Sequence, residues 1–288
     1  MIIDQTCQLI KSKFGELIEN LTIEDVRIGL HLTAVRLSDN SFGTSATLAD
    51  TYPFTPKNHR DFGDFTPLKI RGRNVTEILG TSKYSNIINS VRNAVLSAIS
   101  SGIISRGNYH IRENCDPIQL IDLSNQKTIT IVGAFQSYIR QISSTDNKLF
   151  VLELNESALN PEHKKYFVPA RDFIKILPVS DIVIITGQNL VNGTIDDLLS
   201  TVKEGSQVII TGPSSTILPD LFFENRVSIM GAMRITRHDL LFEIVGEGGT
   251  GYHLLEYCAR KICILKTPGF HCGDMINFND INSLQFGH

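Results

Sequence analysis

The feature that most limits the fold of this chain is an alternation that begins near Cys115. Short aliphatic runs at 128–132, 149–154, 182–185 and 208–210 are separated by stretches with helical spacing. A strand that is apolar at every position has no face to offer water, so it must be covered on both sides. Helices between such strands supply the cover and return the chain in the same direction, which makes the sheet parallel. Residues 113–265 are therefore predicted to form a Rossmann-like parallel-sheet α/β domain.

The first half has a different texture. Ile10, Phe14, Leu17 and Leu21 recur at intervals of three and four and place one apolar face on an opening helix. Two strands at 26–37 and 42–49, joined by the turn residues Ser38, Asp39, Asn40 and Ser41, read as a hairpin beneath it. The stretch 51–73 carries Pro53, Pro56 and Pro67 and reads as a long loop, which also holds His59, Arg60, Asp61, Asp64 and Arg71. Ile87, Ile88, Val91, Ala94, Val95 and Ala98 mark a second amphipathic helix, with Gly102 placed to end it. The expectation is a small α+β domain over 1–112 and a C-terminal tail over 266–288. With 288 residues the chain exceeds one typical domain, and two domains create a cleft.

Charge and cysteine usage narrow the partners. A formal net charge of −3, with Lys and Arg scattered along the chain, leaves no footprint for a nucleic-acid backbone or an anionic membrane. No apolar run approaches the roughly 20 residues of a membrane span, and the first residues lack the pattern of a signal peptide, so a cytoplasmic location is expected. Five cysteines, an odd number without a C-x-x-C pair, fit reduced thiols better than a disulfide framework.

In an open parallel sheet, ligands sit beyond the carboxyl ends of the strands. Four turns there carry polar chemistry. Gly133-Ala134-Phe135 follows the first strand without the second and third glycines of a dinucleotide loop, so no NAD fingerprint is present. Glu153 lies about twenty residues on, at the spacing where nucleotide folds keep a ribose-binding carboxylate. In the third turn, Thr186, Gly187, Asn189, Asn192, Gly193 and Thr194 combine glycines for close backbone approach with amide and hydroxyl groups. Thr194 is set to cap the next helix with Asp197 three residues on. The fourth turn, Gly212-Pro213-Ser214-Ser215, adds hydroxyls after a rigid bend and is expected to close the same pocket.

The bland alternative is that tight turns simply require these residue types. Two such turns side by side at strand ends favour a ligand site. Gly246 to Gly251 reads as a connection in preference to a lid. Cys258, Cys263, His271 and Cys272 match no specific zinc spacing. His31 and His59, with Glu153, are the candidate metal ligands if both histidines face the cleft. No nucleophile elbow, Walker loop or H-E-x-x-H motif is present, so whether the protein is an enzyme stays open.

The segments Asp181-Ile182-Val183-Ile184-Ile185-Thr186-Gly187, Leu190-Val191-Asn192-Gly193-Thr194 and Gly212-Pro213-Ser214-Ser215 with Pro219 resemble the heavy-metal chelation family of domains of unknown function. Glu153, Thr186, Gly187, Asn192, Gly193, Thr194, Gly212, Pro213 and Ser214 occupy matching positions. The resemblance covers the chain to about residue 265 and implies an enolase N-terminal-like first domain, to which 29–37 and 42–48 are similar. It also implies a site at the domain junction and a role in heavy-metal handling or corrinoid biosynthesis. This chain departs in its tail and in having Leu154-Asn155, in place of a basic residue, after Glu153.

The leading expectation is a protein that binds a divalent or heavy-metal ion, or a metal-binding metabolite, in the interdomain cleft. The alternative is an enzyme acting on a small phosphorylated or carboxylated metabolite at the same strand ends. Either is compatible with a homo-oligomer.

Overall fold

The computed structural model describes residues 1–48, 63–83, 85–267 and 269. The first domain opens with helix α1 (Ile2–Ile18), which buries Ile3, Cys7, Ile10, Phe14 and Ile18 at helical spacing. Strands β1 (Ile23–Ile28), β2 (Leu32–Leu37) and β3 (Phe42–Ala46) follow as an antiparallel sheet in that order. The single strand expected over 26–37 is thus two strands. Gly29 breaks it: its amide turns back to the Leu32 carbonyl, and a side chain there would stand 2.1 Å from the Val245 carbonyl.

Helix α2 (Val75–Gly80), capped by Asn74, was not anticipated. Helix α3 (Asn86–Arg106) is the central helix of this domain, with the Ser85 hydroxyl accepting from the Ile88 amide at its start. It runs past Gly102 to a cap at Gly107. A mid-helix glycine costs only about 1 kcal/mol relative to alanine, and the buried Ile103 and Ile104 hold the extra turn in the core. By length and composition α3 is apolar enough to cross a membrane, contrary to expectation, yet 72% of the apolar window is buried within the protein.

The second domain consists of β4 (His110–Glu113), β5 (Thr128–Val132), α4 (Gln136–Ser143), β6 (Lys148–Glu153), β7 (Phe167–Pro169), α5 (Phe173–Ile176), β8 (Ile182–Thr186), α6 (Gln188–Val191), α7 (Ile195–Thr201), β9 (Gln207–Thr211), α8 (Asp220–Glu224), β10 (Val227–Ile235), α9 (His238–Gly246), α10 (Gly251–Tyr257) and β11 (Ala259–Leu265). Its eight strands run in the order β4-β11-β10-β9-β8-β5-β6-β7. The six from β10 to β7 are parallel, and β11 and β4 are added antiparallel at one edge. Strand β4 lies at the expected end of the first domain but pairs into the second domain's sheet. Gly246 to Gly251 joins α9 to α10.

Both faces of the sheet are covered. Ile182 and Ile184 of β8 pack with Ile139 and Ile142 of α4, while Val183 and Ile185 face the opposite layer. That layer contains α7 and α8, and it continues without interruption into α1 and α3 of the first domain. The two domains therefore share the core of this layer, while the opposite face of the sheet closes a core within the second domain. Polar contacts complete the junction: Thr44 Oγ1 donates to the Pro213 carbonyl at 2.8 Å, and Asn93 Nδ2 donates to the Ser214 carbonyl at 3.2 Å.

Candidate functional site

The strand order sets where a site can form. Connections leave β5 toward β6 on one side and reach β8 on the other, so the turns after β5 and β8 diverge and open a crevice between them. A cavity of about 620 Å³ occupies this position. Its walls are the turn after β5 (Gly133, Ala134, Phe135), the end of β6 (Glu153, Leu154), the segment after β7 (Ala170, Arg171, Phe173) and the turn after β8.

Each wall is shaped by local chemistry. Gly133 adopts φ +106°, a conformation side chains rarely take, and a Cβ there would meet Thr186 at 3.0 Å. Asn189 is 8% exposed; its Nδ2 donates to the Thr186 carbonyl at 3.1 Å, and its Oδ1 lies 2.6 Å from the Thr194 hydroxyl. Thr194 Oγ1 is also 2.7 Å from Asn192 Oδ1. The expected cap from Thr194 to its helix is not formed, because the hydroxyl is engaged by the two asparagines. Glu153 Oε1 accepts from the amide of Leu154 at 2.7 Å, which turns the carboxylate back over its own strand end.

Of the expected site residues, Glu153, Thr186, Asn189, Asn192 and Thr194 line this cavity together. Gly187 and Gly193 lie in the same turn but not in the wall; Gly187 is packed against Ser214 and Ser215. The fourth turn does not close the pocket. Ser214, 1% exposed, accepts from the Ala46 amide, and the buried Ser215 hydroxyl lies 2.6 Å from the Gly212 carbonyl and 2.5 Å from that of Gly231. Pro213 and Ser214 thus serve the domain junction, while Gly212 and Ser215 brace the turn within the second domain. The cavity is lined by residues 132–198 alone, so it lies within the second domain and not at the domain junction where a site was expected.

His31 is exposed on the turn between β1 and β2 and takes no part in the cavity; His59 lies outside the described residues. Among the described residues no group of three or more His, Cys, Asp or Glu is placed to hold a metal. Cys258 and Cys263 sit in different core clusters, and Cys263 Sγ donates to the Cys115 carbonyl at 3.1 Å. Burial pushes the Cys258 thiol up to about 11 and raises those of Cys7 and Cys263, so all three are held as neutral thiols. His271 and Cys272 lie outside the described residues.

Sequence reasoning missed Phe135, Arg171, Phe173, Gln188 and Asp197 as wall residues. Phe135 and Gln188 belong to turns that were singled out, and adjacency to the chosen residues was the available signal. Arg171 and Phe173 follow β7, a strand of three residues with too little apolar pattern to be recognised.

Residues 116–264 match the family DUF364, described as "Putative heavy-metal chelation", and residues 11–100 match DUF4213, of the same description. The chain belongs to the DUF364 family. A solved DUF364 protein of unknown function from Pyrococcus horikoshii superposes with a TM-score of 0.73 at 21% identity, covering 92% of this chain and 100% of that one. Another, from Desulfitobacterium hafniense, gives a TM-score of 0.66 at 17% identity over 90% and 100% of the two chains. An uncharacterized protein of Methanocaldococcus jannaschii is 24% identical over 228 residues, 77% of this chain and 82% of that protein. The DUF364 structures establish the shared α/β fold, a small antiparallel-sheet domain joined to a mostly parallel eight-stranded one.

Proposed function

We propose that the protein binds a small organic molecule in the strand-end cavity, and that any metal it handles is held largely by that molecule. The observation that carries this reading is the cavity itself. A volume of about 620 Å³ lies in the range of pockets that enclose whole small molecules, and a bare ion needs far less. Its wall is mainly apolar with a few polar groups, the usual composition of an organic-ligand site. The family description supports metal handling, while the donors available here are dispersed oxygens of Glu153, Asp197, Asn189, Asn192 and the two threonines. Such a set can complete the coordination of a metal that arrives on a chelating ligand, with oxygen donors favouring a hard cation.

Native mass spectrometry of the gently purified chain, paired with elemental analysis, tests this. An organic mass retained in a one-to-one ratio, with or without metal, is the expected result. A stoichiometric metal with no organic companion would refute the reading.

A further inference from the structure

We propose that the ligand carries a ribonucleoside group, with its ribose diol bound by Glu153. The inference rests on the reading that the cavity holds an organic molecule. Numbered from β5, the six parallel strands run 3-2-1-4-5-6, the order of doubly wound folds that bind nucleotides at the switch point. In that architecture a carboxylate at the end of the second strand accepts from the ribose hydroxyls. Glu153 is the last residue of β6, the second strand of this count, and it lines the cavity.

The geometry of Glu153 suits the role. Its Oε1 is occupied by the Leu154 amide at 2.7 Å and more weakly by the Asn155 amide at 3.5 Å, whereas Oε2 carries no hydrogen bond among the described residues. The carboxylate is therefore held in place with one acceptor oxygen free. An ionised carboxylate only accepts, so its partner must donate, and a sugar hydroxyl does so without bringing a charge.

The neighbouring walls suit a flat base. Leu154, 88% exposed despite its apolar side chain, follows β6, and Ala170 and Phe173 follow β7. A ring lying between them would remove apolar surface from water. Arg171 stands on the same wall, its guanidinium without a hydrogen bond among the described residues, and such a plane stacks on aromatic rings.

The turn after β5 disfavours a full dinucleotide. Only Gly133 of the three usual glycines is present, and Phe135 lines the cavity at the entry to α4, where the backbone must approach a pyrophosphate. The fit is to a nucleoside group without a diphosphate.

Isothermal titration of the dialysed full chain with adenosine, guanosine, cytidine and uridine, each beside its 2′-deoxy counterpart, and with NAD tests this. At least one ribonucleoside is expected to bind one-to-one and to lose about tenfold or more in affinity without its 2′-hydroxyl. Glu153→Gln should remove most of that discrimination with the unfolding midpoint unchanged, and NAD should bind no tighter than the nucleoside. Absence of binding by all four, or equal binding of ribo and deoxy forms, would overturn the inference. The underlying reading fails separately: Ala134→Trp, which fills the cavity, would then leave retention of a co-purified molecule in native mass spectrometry unchanged.

Discussion

The Ala46 amide donates to the Ser214 hydroxyl at 2.7 Å, tying the end of β3 in one domain to the turn after β9 in the other. Ser214 is buried and Ala46 half-buried, so water can replace the lost partner only in part. Ser214→Ala should cost about 1 kcal/mol, the lower end of the penalty for a donor left unpaired. The reading is of a structural turn, so urea unfolding should shift while ligand retention does not. A variant of wild-type stability that lost its ligand would reverse that assignment.

The contact between β3 and α3 depends on the absence of a side chain at Gly43. A Cβ there would stand 2.1 Å from the Ala94 carbonyl and 2.3 Å from the Ala98 amide, both parts of rigid helix backbone. Gly43→Ala must push the sheet off the helix, and a loss of about 3 kcal/mol is expected. Thermal unfolding, or the soluble yield if the loss is larger, measures it.

Asn189 braces the turn after β8 through the Thr186 carbonyl and the Thr194 hydroxyl. Asn189→Ala leaves both without that partner and should destabilise the protein by about 1–2 kcal/mol. Because the same turn forms a cavity wall, retention of the co-purified molecule should also fall. An unchanged ligand ratio in native mass spectra would show that the wall is not used.

Lys203 Nζ lies 2.7 Å from Asp181 Oδ1, and the Thr128 amide donates to Oδ2 at 2.8 Å; these contacts, the lysine's hydrogen bond foremost, hold the Asp181 carboxyl below the usual aspartate range. A depressed folded value means that the stabilisation is present above the unfolded aspartate pKa of about 3.9 and is lost as pH falls through the folded value. Asp181 is well exposed to solvent, so the effect is at most about 1 kcal/mol. Stability measured from pH 6 to pH 2 should decline less steeply in Asp181→Asn than in the wild type.

The raised thiols of Cys7, Cys258 and Cys263 predict slow modification. The thiolate is the reactive form, and burial withholds both the charge and the access. In a Cys272→Ser background, Ellman's reagent at pH 8 should react slowly with native protein and promptly with four thiols in urea. Rapid stoichiometric reaction of the native form would contradict the burial of Cys7, Cys115, Cys258 and Cys263.

The strands at 128–132, 182–185 and 208–210 were legible within a residue, because a continuous aliphatic run leaves few alternatives to a strand covered on both faces. β10 was missed, since Gly231, Ala232 and two methionines dilute its aliphatic pattern. The short edge strands β4 and β7 were missed for lack of length. The turn after β8 was identified as polar and glycine-bearing, and five of the eleven expected ligand residues, Glu153, Thr186, Asn189, Asn192 and Thr194, do meet in one cavity.

By itself the sequence determined a parallel α/β sheet and the polar turns at its strand ends, because burial periodicity and turn chemistry are local properties. Only the tertiary structure decided which turn faces the cavity and which is buried. The turns at Thr186 to Thr194 and at Gly212 to Ser215 have nearly the same chemistry. Their fates differ because β3 and α3 pack onto the second and engage the Ser214 hydroxyl and the Pro213 and Ser214 carbonyls, whereas the first opens into the crevice beside β5. Contacts between residues as distant as Ala46 and Ser214 arise from domain packing, to which no local pattern gives access.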